Sequence, residues 1–141
     1  SNPNGSILPT KRVTIEGLVR THGITYSPQD NVMVLSDVGL ASSATDGGLV
    51  VINNFTSVLN MTNNLGTIAM NNQIRVYGPN SMLGNPVDVA YDHVTNAIYV
   101  AERLNSGGLV LKFAFPTMSA DATPQMSRAE AGVTAVYLHR R

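Results

Sequence analysis

Three histidines, nine side-chain carboxylates and no cysteine are the raw material for chemistry in this 141-residue chain. Cysteine nucleophiles, disulfides and cysteine-held metals are excluded at once. His22 is the most suggestive histidine, because it stands directly before a strand-like run, where an imidazole would meet a ligand at the strand's mouth. His93 falls in a polar turn and His139 two residues from the last, so both read as solvated. Asp37 and Glu102 each close an apolar run and occupy equivalent places in an internal repeat. A catalytic group is needed once, so two equivalent acids predict a structural duty, namely accepting backbone N–H bonds in the loop that follows. Serine, histidine and aspartate are all present, yet no Gly-x-Ser-x-Gly elbow marks an activated hydroxyl. Gly47-Gly48 and Gly107-Gly108 lack the lysine and the following helix of a phosphate cradle, and read as turns entering strands. No residue is assigned a catalytic role.

The elements that must position these side chains come from the repeat. Residues 24–37 (ITYSPQDNVMVLSD) align with residues 89–102 (VAYDHVTNAIYVAE) at an offset of 65 without a gap, Tyr26 on Tyr91, Asn31 on Asn96 and acid on acid. Gly47–Val51 matches Gly107–Leu111 at an offset of 60, and Val13–Gly17 matches Ile74–Gly78 at 61. The unit is therefore about sixty residues long, the size of a four-stranded motif rather than of a helical repeat.

Four strands per unit are predicted: 23–26 or 87–91, 32–36 or 97–101, 49–53 or 109–115, and 73–77 or 133–139. Residues 12–16 read as an orphan fourth strand from a preceding unit, residues 1–11 as a disordered or appended segment, and residues 54–72 as a surface loop. Residues 127–131 predict one helical turn capped by Ser127. The folded unit spans 12–141, with repeat 1 at about 18–78 and repeat 2 at about 83–141. The middle strands are continuously apolar and rich in β-branched residues, so both faces of each sheet need cover. Stacked propeller blades satisfy this, whereas the outer faces of a two-sheet sandwich would be wet.

The run Gly84-Asn85-Pro86-Val87-Asp88-Val89-Ala90-Tyr91-Asp92, followed by Ala97–Glu102 and Gly108–Phe113, resembles a blade of the NHL-repeat and gluconolactonase-like (senescence-marker-like) six-bladed propellers. Thr21–Pro28 is similar to the matching stretch, and the resemblance covers roughly residues 12–113. It implies an all-β fold of propeller blades, two four-stranded antiparallel sheets plus a leading strand, forming an incomplete propeller or an oligomeric ring. In the lactonase branch of that superfamily, acidic and Asn side chains at inner-strand entrances hold a divalent metal. The metal-binding Asn falls on His22, and a metal-binding Asp falls on Val87, with Asp88 one step beyond. The resemblance therefore points to His22 and Asp88 as ligand-binding candidates. Because both departures remove an oxygen ligand, a noncatalytic binding or scaffolding module is expected, with a metal-dependent ester or lactone hydrolase as the alternative. No cofactor is expected for the former, and a divalent cation such as calcium for the latter.

Composition narrows the partners. Net charge is zero, with 9 Lys and Arg against 9 Asp and Glu, and basic residues never run longer than a pair, so nucleic acid is not expected. The longest aliphatic run, Leu49-Val50-Val51-Ile52, falls far short of the ~20 residues of a membrane-spanning helix. With 43% hydrophobic and 13% charged residues the chain is globular and one domain at most. Low charge with abundant Asn, Ser and Thr suggests an extracellular or periplasmic location. Two blades cannot close a propeller, and an uncovered apolar sheet face of several hundred Å2 would forfeit on the order of ten kcal/mol. Copies of the chain, or remaining blades of a longer parent, are expected to cover both ends, with a small molecule or protein as ligand.

Overall fold

The computed structural model describes residues 7–139. Along the chain run β1 (Thr14–Ile15), β2 (Thr21–Ser27), β3 (Val32–Asp37), β4 (Gly48–Ile52), the helix α1 (Phe55–Met61), β5 (Thr67–Ile68) and β6 (Ile74–Tyr77). The second half supplies β7 (Pro86–Asp92), β8 (Ala97–Glu102), β9 (Leu109–Ala114) and β10 (Met126–Ala129). Two four-stranded antiparallel meanders result, β2-β3-β4-β6 (sheet 1) and β7-β8-β9-β10 (sheet 2).

The repeat is legible atom by atom in the turns. Asn31 and Asn96 take left-handed backbones (φ 54° and 53°), which Asn tolerates better than branched residues. Each accepts a hydrogen bond from the tyrosine five residues earlier, Tyr26 at 3.2 Å and Tyr91 at 2.9 Å. Each Asn carbonyl in turn accepts the N–H of a phenylalanine, Phe55 or Phe115, whose ring packs on the tyrosine at 5.7 or 5.4 Å. Hairpin, ring pair and following strand are thus locked by one device used twice.

The central core lies between the sheets. Val32, Val34, Leu49, Val51 and Val76 of sheet 1 meet Val89, Ile98, Val100, Leu109, Leu111 and Phe113 of sheet 2. Strands β2 and β7 come into backbone contact, since a Cβ added at Gly23 would stand 2.6 Å from Asp88 Cα. The opposite edges are stitched by residues 118–121, which run beside β6: Ala120 N–H donates to Arg75 O and Tyr77 N–H to Ala120 O. The chain then pairs with β9 as β10.

Four expectations are corrected. The fourth strand of the second unit is β10, not 133–139, and the helical turn expected at 127–131 is that same strand. A five-residue helix is marginal by itself, whereas pairing with β9 satisfies the backbone of 126–129. Residues 133–139 are instead laid without strand pairing across the outer face of sheet 2, over Ala90, Tyr99 and Val110, and Val136 N–H donates to Asp88 Oδ2 (3.0 Å). Their apolar character serves to cover a face.

Residues 54–72 carry α1 and β5 rather than only loop, and β1 pairs parallel with β5 inside this chain, so 12–16 is not a blade strand left over from another unit. This layer covers the outer face of sheet 1. Leu35, Val50 and Ile52 pack there against Val58 of α1 and Ile68 of β5, with Val13, Ile15 and Phe55 around them. Lys11 tethers the layer, donating to Leu59 O and Thr62 O at 2.7 Å, where a cation also suits the helix's carbonyl end. The cover demanded by the apolar middle strands of sheet 1 therefore comes from the chain itself, as residues 133–139 cover part of sheet 2. Of the segment expected to be disordered or appended, residues 1–6 lie outside the described residues.

Candidate functional site

The first strand of each sheet, β2 or β7, carries an irregularity near its start. In β2 the register jumps from Thr21↔Asp37 to Ile24↔Leu35, and in β7 from Pro86↔Glu102 to Asp88↔Ala101. Each is a one-residue bulge, a device that re-aims a side chain. The bulged positions are His22 and Val87, and both turn into one cleft of about 360 Å3 between the two units. Arg20, Val38 and Ala41 line it from the first unit, Asn85, Arg103 and Leu104 from the second.

Buried acids hold the walls. Asp37 is fully buried and accepts the N–H groups of Val19 (3.0 Å), Arg20 (2.8 Å) and Gly39 (3.1 Å). Glu102, equally buried, accepts those of Gly84 (2.9 Å), Asn85 (2.8 Å), Leu104 (3.0 Å) and Asn105 (2.9 Å). Each carboxylate thus ties the loop before an inner strand to the loop after the second strand. The loops are also clamped to each other, Val38 N–H to Arg20 O (2.8 Å) and Arg103 N–H to Asn85 O (3.0 Å). Charge-assisted bonds of this kind stiffen a site whose residues sit in loops.

Asp37 has a fourth donor, the Tyr77 hydroxyl at 2.9 Å. Burial, and then the Asp37 carboxylate, push the Tyr77 hydroxyl well above the usual phenol range. Tyr91, by burial and its 2.7 Å bond to Asp30, is pushed up to about 12. A folded-state pKa above the unfolded value stabilises the fold below pH 10 and loses that contribution as pH climbs through the folded value. The melting temperature is therefore expected to fall steeply above pH 10, and Tyr77→Phe to flatten that fall while lowering stability at pH 7 by about 1 kcal/mol. Melting curves taken from pH 7 to 11 check both; an unchanged alkaline slope in Tyr77→Phe would contradict the assignment.

The candidates named from sequence separate here. His22 lines the cleft, exposed and with no side-chain partner among the described residues. Asp88 does not line it: its backbone touches Gly23, but its carboxylate accepts the N–H groups of Val89 and Val136. A β-strand alternates faces, and one step past the bulge puts Asp88 on the outer face of sheet 2. His93 is exposed in the β7–β8 turn, and His139 lies exposed beside the Tyr137 ring. Sequence reasoning missed Arg20, Asn85 and Arg103. The signal was present in the repeat, in its differences: Arg20 stands where the second unit has Asn85, His22 where it has Val87, and Arg103 where the first has Val38.

Comparison with protein families, with curated proteins and with solved structures found no match in any of the three.

Proposed function

We propose that the chain is a noncatalytic binding module built of two propeller-type blades, taking its ligand in the cleft at the mouths of β2 and β7. One observation carries this: Arg20, His22 and Arg103 line one cleft between the units, and their side chains have no partner among the described residues. Polar groups held on stiff loops with nothing to bind are what a ligand site offers. The propeller arrangement is supported by the inner strands β2 and β7 touching, while the outer edges need residues 118–121 to join them.

The hydrolase alternative gains no support from the donor set. An oxygen-ligated divalent cation wants carboxylates and carbonyls, but this cleft presents two guanidinium groups, which repel a cation, and Asp88 is engaged elsewhere. No reaction step is derived through a metal.

The test is an amide-resolved NMR titration with three probes of different chemistry: succinate, glucose and glycylglycine. At least one is expected to shift amides at 20, 22, 85 and 103 while leaving β5 and β10 unmoved. No cleft response to any probe would overturn the module reading. So would hydrolysis of gluconolactone that requires calcium and disappears on chelation.

A further inference from the structure

The scaffold residues of the cleft do the same work in both units, and its lining differs. Asp37 and Glu102 do one job twice, and the Val38–Arg20 and Arg103–Asn85 clamps repeat in the backbone. At three equivalent lining positions the side chains differ: Arg20 against Asn85, His22 against Val87, Val38 against Arg103. Each pair sets a larger polar group in one unit against a different, smaller group in the other. A structural duty would be served alike in both copies; a single ligand between them would not be contacted alike.

The chemistry of the differing residues has one sign. Two guanidinium groups share a cleft in a chain of zero net charge, and the nearby acids are spent, since Asp37 and Glu102 face the loop N–H groups beneath. Among the described residues the one ion pair, Arg128–Glu130, lies elsewhere. Two like charges along one cleft favour an anion within it. The planar donor forks of arginine match the paired oxygens of a carboxylate or phosphate. Val38, Val87 and Leu104 add apolar wall for a small organic body.

Resting on the module reading above, we propose that the cleft binds a small molecule carrying an oxyanion, carboxylate or phosphate, gripped by Arg20 and Arg103 with His22 as a further donor. The cleft volume of about 360 Å3 suits a metabolite-sized ligand rather than a polymer.

Isothermal titration at constant ionic strength, with succinate, inorganic phosphate and uncharged glucose as probes, tests it. One oxyanion probe is expected to bind and glucose not to; which of the two binds more tightly decides between carboxylate and phosphate. Arg20→Gln and Arg103→Gln should each weaken binding at least tenfold, and Arg128→Gln should leave it within twofold. Because neither cleft arginine bonds through its side chain to any other described residue, melting temperatures of both variants should match the parent. Glucose binding in the cleft with no response to either anion would overturn the oxyanion assignment and leave the binding module standing. Silence from every probe would overturn both. Equal weakening by Arg128→Gln would show diffuse charge attraction and overturn the cleft assignment.

Discussion

Glu102→Ala is expected to lower the melting temperature by about 10 °C or more, or to prevent folding outright. The carboxylate is fully buried and accepts four backbone N–H groups from two loops, so alanine strands Gly84, Asn85, Leu104 and Asn105 together. An orphaned buried donor costs about 1–3 kcal/mol, and release of a desolvated charge offsets part of the sum. A net loss of about 3–5 kcal/mol remains against a domain stability of about 5–15 kcal/mol. Glu102→Gln keeps the shape but turns amide hydrogens toward donors, so it should fall between alanine and the parent. Asp37→Ala should show a comparable loss, because it strands three N–H groups and the Tyr77 hydroxyl. Thermal melts of the three variants decide the point. A Glu102→Ala protein melting within about 2 °C of the parent would mean that the loops hold themselves.

Gly23→Ala should cost about 2–3 kcal/mol for the addition of a single methyl group. The new Cβ would meet Asp88 Cα at 2.6 Å, Val89 N at 2.7 Å and Asp88 C at 2.9 Å, all main-chain atoms that cannot rotate aside. Relief requires β2 and β7 to part, which loosens the core shared by the two sheets while leaving each sheet's own ladder intact. Urea unfolding should therefore shift to lower midpoint, and hydrogen exchange should rise at Val89 before it rises at Val50. Gly23 and Asp88 are equivalent in the repeat and touch each other, so only one of the two units can carry a side chain there. Full stability in Gly23→Ala would show that the inner strands are not packed as described.

Much of the architecture was legible in the residues themselves. The gapless match of 24–37 with 89–102 placed the first hairpin of each unit, and the apolar, β-branched third run placed β4 and β9 within a residue or two. Errors gathered where a segment's hydrophobicity served cover rather than pairing. Phe55, Val58 and Ile68 look scattered in an Asn-rich stretch, yet three dimensions bring them onto the back of sheet 1. Val136 and Leu138 look like strand and are a strap. The Phe55–Phe115 equivalence lies at an offset of 60 rather than 65 and reads as loop residues until the ring pairs with Tyr26 and Tyr91 are seen.

Strands, hairpins, repeat and the places of Asp37 and Glu102 are local properties, set by β-branching, by asparagine's tolerance of a left-handed turn and by short-range patterning, so the residue order alone determined them. The choice of touching edges, the cover on sheet 1 and the gathering of Arg20, His22 and Arg103 into one cleft belong to the tertiary structure. They depend on residues far apart in the chain being packed side by side, and no local propensity carries that information.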